Sequence, residues 1–310
     1  MTRLFRITIL LITGIALYLP ISSKAQYLEY GANAFGTMYF GDLTHVHSFL
    51  YSTRSGAGVH FRRHLTKSLS LRADVNLAML AGSDNTPYVK NQTSQGKYTE
   101  FFKLNDSLGK VFSHRPDVVL RNLSFRSVLR EFNFVLEYKL GEVMINSNTP
   151  RFNYYLFSGF NVYAFDPEAR SDSADGAWFR LKGFSTEGQG MPNFYPGVED
   201  YKTTQIGIPL GIGIRWTLDK YTRVAAEIGY RFIFTDYLDD VSGKYVVPSV
   251  VASVKGQRAA EFIDRSSQLH PYLKDYYKLG DSRGNPGNDG YLFFGFSVSK
   301  VIYPNLCPKL

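Results

Sequence analysis

Residues 205–240 read QIGIPLGIGIRWTLDKYTRVAAEIGYRFIFTDYLDD and show the most regular alternation in the chain. In the first half, every second residue from Ile206 to Trp216 is apolar, and the residues between them are small, charged or proline. The second half repeats the pattern after a short turn at residues 218–220. Because successive side chains of a strand point to opposite faces, a period of two indicates two strands, each with one apolar face. The stretch therefore predicts an antiparallel hairpin.

The length of each arm indicates where the apolar face points. Each arm covers about 11 to 13 residues, whereas soluble strands usually have ~5 to 6 residues and tilted membrane strands ~9 to 11. Aromatic residues stand at both ends, Trp216 and Tyr221 beside the turn and Phe234 and Tyr237 at the far end, as in the girdles of membrane barrels. The hairpin is therefore interpreted as membrane-spanning. Pro209 cannot donate a ladder hydrogen bond, so we expect a β-bulge there.

The rest of the chain supplies six further alternating segments, which brings the number of predicted strands to eight. They lie at residues 28–40, 55–65, 69–79, 123–140, 153–165 and 291–303. Alternate connections are long, at residues 41–52, 82–122, 164–202 and 236–289. In membrane barrels the strand number is even, short turns face the periplasm and long loops face outside. The sequence therefore predicts an all-β fold, an eight-stranded antiparallel up-and-down outer-membrane β-barrel with long extracellular loops.

The N-terminal residues predict export. Residues 1–25 contain Arg3 and Arg6, then an apolar run and small residues, the pattern of a cleaved signal peptide. Residues 26–310 are then expected to form a single barrel domain, integral to the outer membrane and surrounded by its lipid. Loss of Arg3, Arg6 and Lys24 lowers the formal net charge from +8 to +5, which gives no indication of nucleic-acid binding.

The strand face opposite the apolar face carries charges of both signs. Eight strands enclose an interior just wide enough for side chains, and buried charges are tolerated only when they are paired. We therefore expect an ion-pair network that fills the lumen, with an open solute channel as the alternative. The network is predicted to contain Arg62, Arg72, Asp74, Glu131, Glu137, Lys139, Arg215, Arg223, Glu227 and Arg231.

The histidines give little indication of catalysis. His60 and His64 share one face of the second strand, but nothing in the sequence ties a Ser, Asp or Glu to them, which disfavours a hydrolase site. His45 and His47 offer only two ligands to a metal ion, fewer than a stable site needs. The sequence therefore predicts a non-enzymatic protein without a cofactor or bound metal.

Two further features have a structural and a functional interpretation. Asp236, Asp239 and Asp240 could hold a calcium ion, but Asp is also a common turn former, and loop-ordering hydrogen bonds are the favoured interpretation. The single Cys307 allows no internal disulfide and is interpreted as a spare thiol.

Four stretches carry a resemblance to a known family. They are RNLSFRS at 121–127 with the following EFN at 131–133, STEGQG at 185–190, FTDYLDDVSGKY at 234–245 and RGNP at 283–286. They are similar to the PorG-like family of small outer-membrane barrels from the Bacteroidetes, in which Gly usually stands at the position of Ser185. The resemblance implies an eight-stranded barrel and a structural role in the type IX protein secretion system, with partners in its periplasmic ring. The candidate partner-binding residues that it marks are Thr186, Glu187, Gly188, Gln189, Gly190, Asp236, Tyr237, Asp239 and Asp240.

The position of these stretches leaves a second function open. Most of them lie in the predicted outer loops, whereas the ring partners would be periplasmic. On the periplasmic side a partner could reach the 141–152 turn, the two short turns and the residues after the last strand. A surface adhesin or receptor barrel unrelated to secretion is therefore the alternative function.

Overall fold

A computed structural model describes residues 27–44, 52–84, 120–143, 152–172, 176–269, 273, 276–285 and 287–303. The predicted signal peptide, the His45 and His47 pair and Cys307 lie outside the described residues. Eight long antiparallel strands make up most of the described chain. They are β1 (Leu28–Phe40), β2 (Arg54–His64), β3 (Leu69–Ser83), β4 (Ser124–Val143), β5 (Phe152–Ala164), β8 (Thr204–Thr217), β9 (Thr222–Ile233) and β10 (Gly290–Ile302).

These eight strands close into a barrel. Their order is β3-β2-β1-β10-β9-β8-β5-β4, and a further pairing of β3 with β4 joins the two ends. The first strand lies beside the last, with Leu28 opposite Ile302. The hairpin predicted for residues 205–240 forms as expected, with Gly211 of β8 opposite Gly229 of β9. The predicted eight-stranded antiparallel barrel is therefore confirmed.

The long connections contain regular structure that the alternation did not predict. Two short strands, β6 (Pro167–Arg170) and β7 (Trp178–Arg180), extend β4 through pairing of Glu168 with Arg126. The connection between β9 and β10 contains three short helices, α1 (Pro248–Lys255), α2 (Gln257–Ala260) and α3 (Ser266–Leu269). Among the described residues, no helix is both long and apolar enough to cross a bilayer.

The irregularities of the barrel lie elsewhere than predicted. At Pro209 the ladder between β5 and β8 is interrupted, but it resumes in the same register, with Ser158 opposite Leu210 and Asn161 opposite Gly207. The expected bulge at Pro209 is therefore wrong, because the missing hydrogen bond is tolerated as a gap in one ladder while the ladder to β9 stays continuous. The register shift instead occurs in β4, between Lys139 and Gly141.

The outward face of the barrel is apolar over its whole circumference. Ile212 at mid-strand is 55% exposed. Aromatic side chains surround the two ends of this apolar band, as the girdles of a membrane barrel do. They include Tyr138, Trp216, Tyr221 and Tyr303 at the end with the short turns, and Phe40, Phe232 and Phe234 at the end with the long connections.

Candidate functional site

Glu137 is the centre of an ion-pair network in the half of the lumen next to the short turns. Its carboxylate accepts hydrogen bonds from Arg62 Nε at 2.9 Å, Arg72 Nη1 at 2.8 Å and Arg215 Nη2 at 2.6 Å. Arg62 also donates to Glu29 Oε2 at 2.6 Å. All five side chains are buried, and each charge lies against opposite charges from other strands, the arrangement that makes buried ions tolerable.

Arg72 extends this network across the barrel. Its guanidinium pairs with Asp74 two residues away and with Glu227 on β9. Tyr155 on β5 donates its hydroxyl to Glu227 at 2.5 Å, and Arg223 pairs with Glu29 on β1. Strands that are far apart along the chain are thus joined through the lumen.

Glu131 is the centre of a second cluster closer to the long connections. Its Oε1 accepts hydrogen bonds from Arg231 Nε and Asn161 Nδ2, both at 2.7 Å, and from the Tyr291 hydroxyl at 3.0 Å. Between the two clusters, Phe157 and Phe293 pack across the lumen. A cavity of about 30 Å³ remains beside His60 and the Arg231 cluster, which is room for water only.

The structure brings nine of the ten sequence-predicted lumen residues into these clusters. The tenth, Lys139, lies at the rim and pairs with Glu142 at 2.7 Å instead. Sequence reasoning missed Glu29 and the neutral partners Tyr155 and Asn161. The alternation of β1 could have found Glu29, because it shares a face with Asn33.

His64 has partners that the sequence did not indicate. The Ser70 hydroxyl lies 2.8 Å from its Nδ1 and Glu29 Oε1 lies 2.7 Å from its Nε2, so the fold brings to His64 a Ser and a Glu that the sequence did not tie to it. All three side chains are buried, and the Tyr27 ring stacks on the imidazole with 3.9 Å between ring centroids. Glu29 is also held by two arginines, so this Ser-His-Glu group is part of the lumen packing.

The long connections fold over the far end of the barrel, and we call this region the loop cap, formed by residues 41–44, 84, 120–123, 165–203 and 234–289 as far as described. Arg121 joins three of its segments. Its guanidinium pairs with Asp84 at 2.7 Å and donates to the carbonyl oxygens of Asp42 at 2.9 Å and Arg283 at 2.5 Å. Burial would lower the pKa of this guanidinium, but the Asp84 carboxylate outweighs burial and raises it.

Arg283 and Glu187 form a second buried centre of the loop cap. Arg283 Nη1 donates to Glu187 Oε1 at 3.0 Å and to the Asp240 carbonyl at 2.7 Å. The Glu187 carboxylate also accepts the backbone N–H groups of Ser242 at 3.0 Å and Gly243 at 2.8 Å. Two long connections are thereby held together by one ion pair.

Asp240 completes this centre. Its carboxylate accepts the hydroxyls of Thr186 at 2.5 Å and Tyr201 at 2.7 Å. Burial raises the pKa of Asp240 to about 6, and the Arg283 guanidinium opposes that rise. The side chain is therefore held mainly by neutral donors.

Tyr39 at the end of β1 links two buried carboxyls of the loop cap. Its hydroxyl lies 2.7 Å from Asp239 Oδ2 and 2.8 Å from Asp289 Oδ1. A hydroxyl has one proton, so one contact is donated by Tyr39 and the other requires a protonated carboxyl. Burial, together with the neighbouring carboxyls, raises the pKa of both Asp239 and Asp289 well above the usual range.

The predicted partner-binding residues mostly serve the interior of the loop cap. The side chains of Thr186, Glu187, Gln189, Asp239 and Asp240 are buried and hydrogen-bonded within the protein, so they form no part of the outer surface that a protein partner would contact. The backbone of Gly188 is buried as well, whereas Gly190 is exposed and Asp236 and Tyr237 are half-buried. Contact with a partner stays a prediction for these last three residues.

The calcium interpretation of the aspartates fits this structure poorly. The Asp236 carboxylate accepts the Ser242 hydroxyl at 2.8 Å, and burial raises its pKa to about 7. Asp239 and Asp240 point to different partners, Tyr39 and Tyr201. Within the described ranges, no group of three or more candidate ligands could hold a metal ion.

No protein-family model matches this chain, and no curated protein matches it in sequence. Solved structures similar to it include the N-terminal β-barrel domain of OprF from Pseudomonas aeruginosa, with 9% identity, a TM-score of 0.35 and coverage of 88% of this chain and 97% of that chain. Neisserial surface protein A has 8% identity, a TM-score of 0.39 and coverage of 88% and 96%. The outer membrane protein OprG from Pseudomonas aeruginosa has 8% identity, a TM-score of 0.39 and coverage of 91% and 98%.

The class of the protein follows from its own two faces. Ion pairs fill the inside and apolar side chains cover the outside, the reverse of a soluble barrel. A closed barrel also leaves no unpaired strand edge within the bilayer, where an unsatisfied backbone group is costly. The chain is an integral outer-membrane β-barrel protein with eight antiparallel strands and a filled lumen.

Proposed function

We propose that this barrel is a non-enzymatic, structural component of the type IX protein secretion system, belonging to the PorG-like family of the Bacteroidetes and binding the periplasmic ring of that machine. The observation that carries the proposal is the periplasmic end of β4, which has no strand on its β3 side among the described residues. The filled lumen supports a structural role over transport of solutes, because its ion pairs and aromatic rings leave room for water only.

The exposed edge is formed by residues 140–143, which we call the periplasmic arm; the N–H of the preceding Lys139 still donates to the Ser68 carbonyl at 2.8 Å. The pairing of β3 with β4 ends at Leu69 and Tyr138, whereas β4 continues to Val143 and pairs there with Phe152 of β5. On the β3 side, no strand of the described part of the chain therefore lies opposite the arm. Leu140 is 58% exposed and Val143 is 44% exposed. An exposed apolar edge strand is a template to which a partner can add a strand of its own.

The matched stretches support family membership through the loop cap. Arg121, Glu187, Asp240 and Arg283 come from four separate stretches of the sequence, and their side chains or backbones meet in one buried network. The four stretches that carry the resemblance therefore depend on one another in the fold of this chain. In this proposal the periplasmic arm, and not the loop cap, contacts the ring.

The decisive experiment deletes the gene and measures export of proteins that carry type IX signals. We expect an export defect that the wild-type gene restores. Replacing Leu140 and Val143 together by Lys should reproduce the defect, because charges disfavour edge pairing. Leu218→Lys, an exposed apolar residue in a different periplasmic turn, is the matched control and should export normally. Normal export in the deletion strain would overturn the proposal.

Cross-linking adds the side of contact. Single cysteines at Glu142, on the periplasmic arm, and at Asn193, exposed on the loop cap, are placed in a Cys307→Ser background. We expect a periplasmic ring protein to be captured from Glu142 and not from Asn193. Capture from Asn193 alone would argue against a periplasmic contact.

One observation favours the second candidate function, a surface adhesin or receptor. The loop cap exposes large apolar side chains, among them Trp178, Phe194 and Leu279, and such groups often mark interaction surfaces. An adhesin predicts normal export after gene deletion together with loss of surface binding. Phe194→Ser should then reduce the binding of cells to the adhesin's target and leave export unchanged.

A further inference from the structure

The loop cap contains a second cavity, five times larger than the one in the lumen and polar in its lining. Its volume is about 150 Å³, room for about ten water-sized positions at roughly 10–15 Å³ each. We call it the cap pocket. The residues that line it include Lys182, Ser185, Gln189, Asp200, Asp240 and Lys255.

Gln189 supplies an unused donor at this pocket. Its side chain is 4% exposed, and its Oε1 accepts the Glu187 backbone N–H at 2.9 Å. That hydrogen bond fixes which end of the amide is oxygen, so the remaining end is the N–H donor group. Nε2 has no partner among the described residues. Since buried polar groups are nearly always hydrogen-bonded, the pocket is built to present Nε2 to an acceptor that enters it.

The charges around the pocket balance. Lys182 pairs with Asp200 at 3.2 Å. Lys255, at the exposed end of α1, has no ion pair within the described part of the chain, and Asp240 lines the same cavity with its two carboxylate oxygens held by Thr186 and Tyr201. Two cations and two carboxyls together favour an occupant without net charge. Donors and acceptors are both present, so the occupant should offer both kinds of group.

We propose that the cap pocket binds one neutral pyranose unit, either as a free monosaccharide or as the terminal unit of a glycan. Hydroxyl groups both donate and accept, so they can take a hydrogen bond from Gln189 Nε2 and give one to Asp200. A cavity of about 150 Å³ is the size that takes one six-membered ring such as benzene, so it holds the ring of one sugar unit, whose outer substituents extend through the open side. The pocket lies on the outer side of the barrel, where such sugars reach it without crossing the membrane. This site is independent of the periplasmic arm and of the proposed secretion role.

The test uses the full mature protein refolded in detergent and calorimetric titration with D-glucose, D-galactose, D-mannose and N-acetyl-D-glucosamine. The β-linked and α-linked disaccharides of these sugars are titrated as well. Binding of a disaccharide indicates the terminal unit of a glycan, and binding of the monosaccharides alone indicates a free sugar. N-acetylneuraminic acid and L-alanine serve as anionic and zwitterionic comparators. We expect saturable binding of at least one neutral sugar and none of the comparators. No neutral sugar bound at about 10 mM, a concentration that detects a millimolar Kd, or tighter binding of a comparator, would overturn the proposal.

Variants locate the site. Gln189→Glu keeps the shape and the accepting oxygen but removes the N–H donor, and it should weaken binding of the sugar by at least tenfold. Lys255→Ala lies on the exposed end of a helix and leaves the fold intact, so a several-fold loss there tests the pocket even if Gln189→Glu folds poorly. Phe194→Ala, exposed on the same loop and outside the lining, is the control and should bind as the wild type does. Folding of each variant is verified by the change in its electrophoretic mobility on heating in detergent. If folded Lys255→Ala binds the sugar with the wild-type affinity, the sugar binds elsewhere and the site is refuted.

Discussion

The lumen and the loop cap both bury polar groups, but they stabilise them differently. In the lumen each carboxylate lies against arginines, three of them on Glu137 alone. In the loop cap Arg121 and Arg283 face a larger number of acids, and Asp239, Asp240 and Asp289 rely on hydroxyl and backbone donors. The lumen is therefore neutralised by ion pairs, and the loop cap partly by protons.

This difference predicts different vulnerabilities. Removing Glu137 from the lumen leaves Arg215 buried without a carboxylate and takes one of the carboxylate partners from each of Arg62 and Arg72, which is costly at any pH. The loop cap tolerates loss of a proton poorly and depends on pH. Comparing variants in the two regions separates the two mechanisms.

The largest effect is expected for Glu137→Gln. The substitution leaves Arg62, Arg72 and Arg215 without their shared carboxylate, so the free energy of unfolding should fall by roughly 3 to 5 kcal/mol. Urea unfolding in lipid vesicles measures it. Glu142→Gln, which breaks the exposed pair with Lys139, is the control and should cost only about 0 to 1 kcal/mol. Similar costs for the two variants would mean that the lumen is hydrated and screened.

A slightly smaller loss of stability is expected for a charge on the outward face of the barrel. Ile212→Arg places a charge near the middle of the apolar band and should reduce the free energy of unfolding by roughly 2 to 4 kcal/mol, because lipid does not solvate it. Leu218→Arg, in the periplasmic turn, should cost about 0 to 1 kcal/mol. If Ile212→Arg is equally mild, that face does not meet lipid.

The pH dependence of the loop cap comes next in size. Folding raises the pKa of Asp240 to about 6 from an unfolded value near 4, so the folded loop cap binds this proton more tightly than the unfolded chain does. Its stabilising contribution, on the order of 2 kcal/mol, is therefore fully present below about pH 4 and is lost as the pH rises through about 6. Protection of residues 234–269 from proteolysis or hydrogen exchange should be greater at pH 5 than at pH 8.

Asp240→Asn tests the source of this pH dependence. An amide cannot titrate, so the difference in protection between pH 5 and pH 8 should shrink, although Asp236, Asp239 and Asp289 still contribute. Greater protection at pH 8 than at pH 5 in the wild type would contradict the assignment of protons to the loop cap.

The smallest effect is expected at Ser185. Its φ of 54° lies in the left-handed region that favours glycine. Ser185→Gly removes this strain but makes the unfolded chain more flexible, so a net stabilisation of about 0.5 to 1 kcal/mol is expected. Ser253→Gly, within α1, should instead destabilise by about 0.5 kcal/mol. Proteolytic protection of the loop cap measures the change in stability for both variants. If Ser185→Gly destabilises the loop cap as Ser253→Gly does, Ser185 is unstrained.

The barrel could be predicted because its signal is local. A period of two in β8 or β9 is visible within a dozen residues, and the same period shows which side chains point inward. The ion-pair partner of each inward side chain is harder to predict from the sequence. Arg72 pairs with Glu227 only because the barrel closes, and Glu29 was missed because β1 has many small residues and a weak alternation.

The loop cap could not be predicted in the same way. Arg121 donates to the carbonyl of Arg283, and no period in the sequence relates two residues so far apart. The resemblance predicted partner contact for Glu187 and Asp240, whereas both side chains are buried inside the loop cap. A motif shows that a residue type is required at a position and does not show whether the requirement comes from a partner or from the fold.

The position of Tyr39 sets an order of assembly. Tyr39 lies near the end of the first strand, but its two carboxyl partners belong to the connection that precedes the last strand. The pairing of β1 with β10 is the longest-range pairing of the barrel, and long-range contacts form slowly because a long loop has to close first. Tyr39 lies opposite Tyr291 across this seam, so its two contacts require β1 and β10 to be paired at this end. Completion of the loop cap therefore reports that the barrel is finished, and an unclosed intermediate displays its acidic loops without the hydroxyl that joins them.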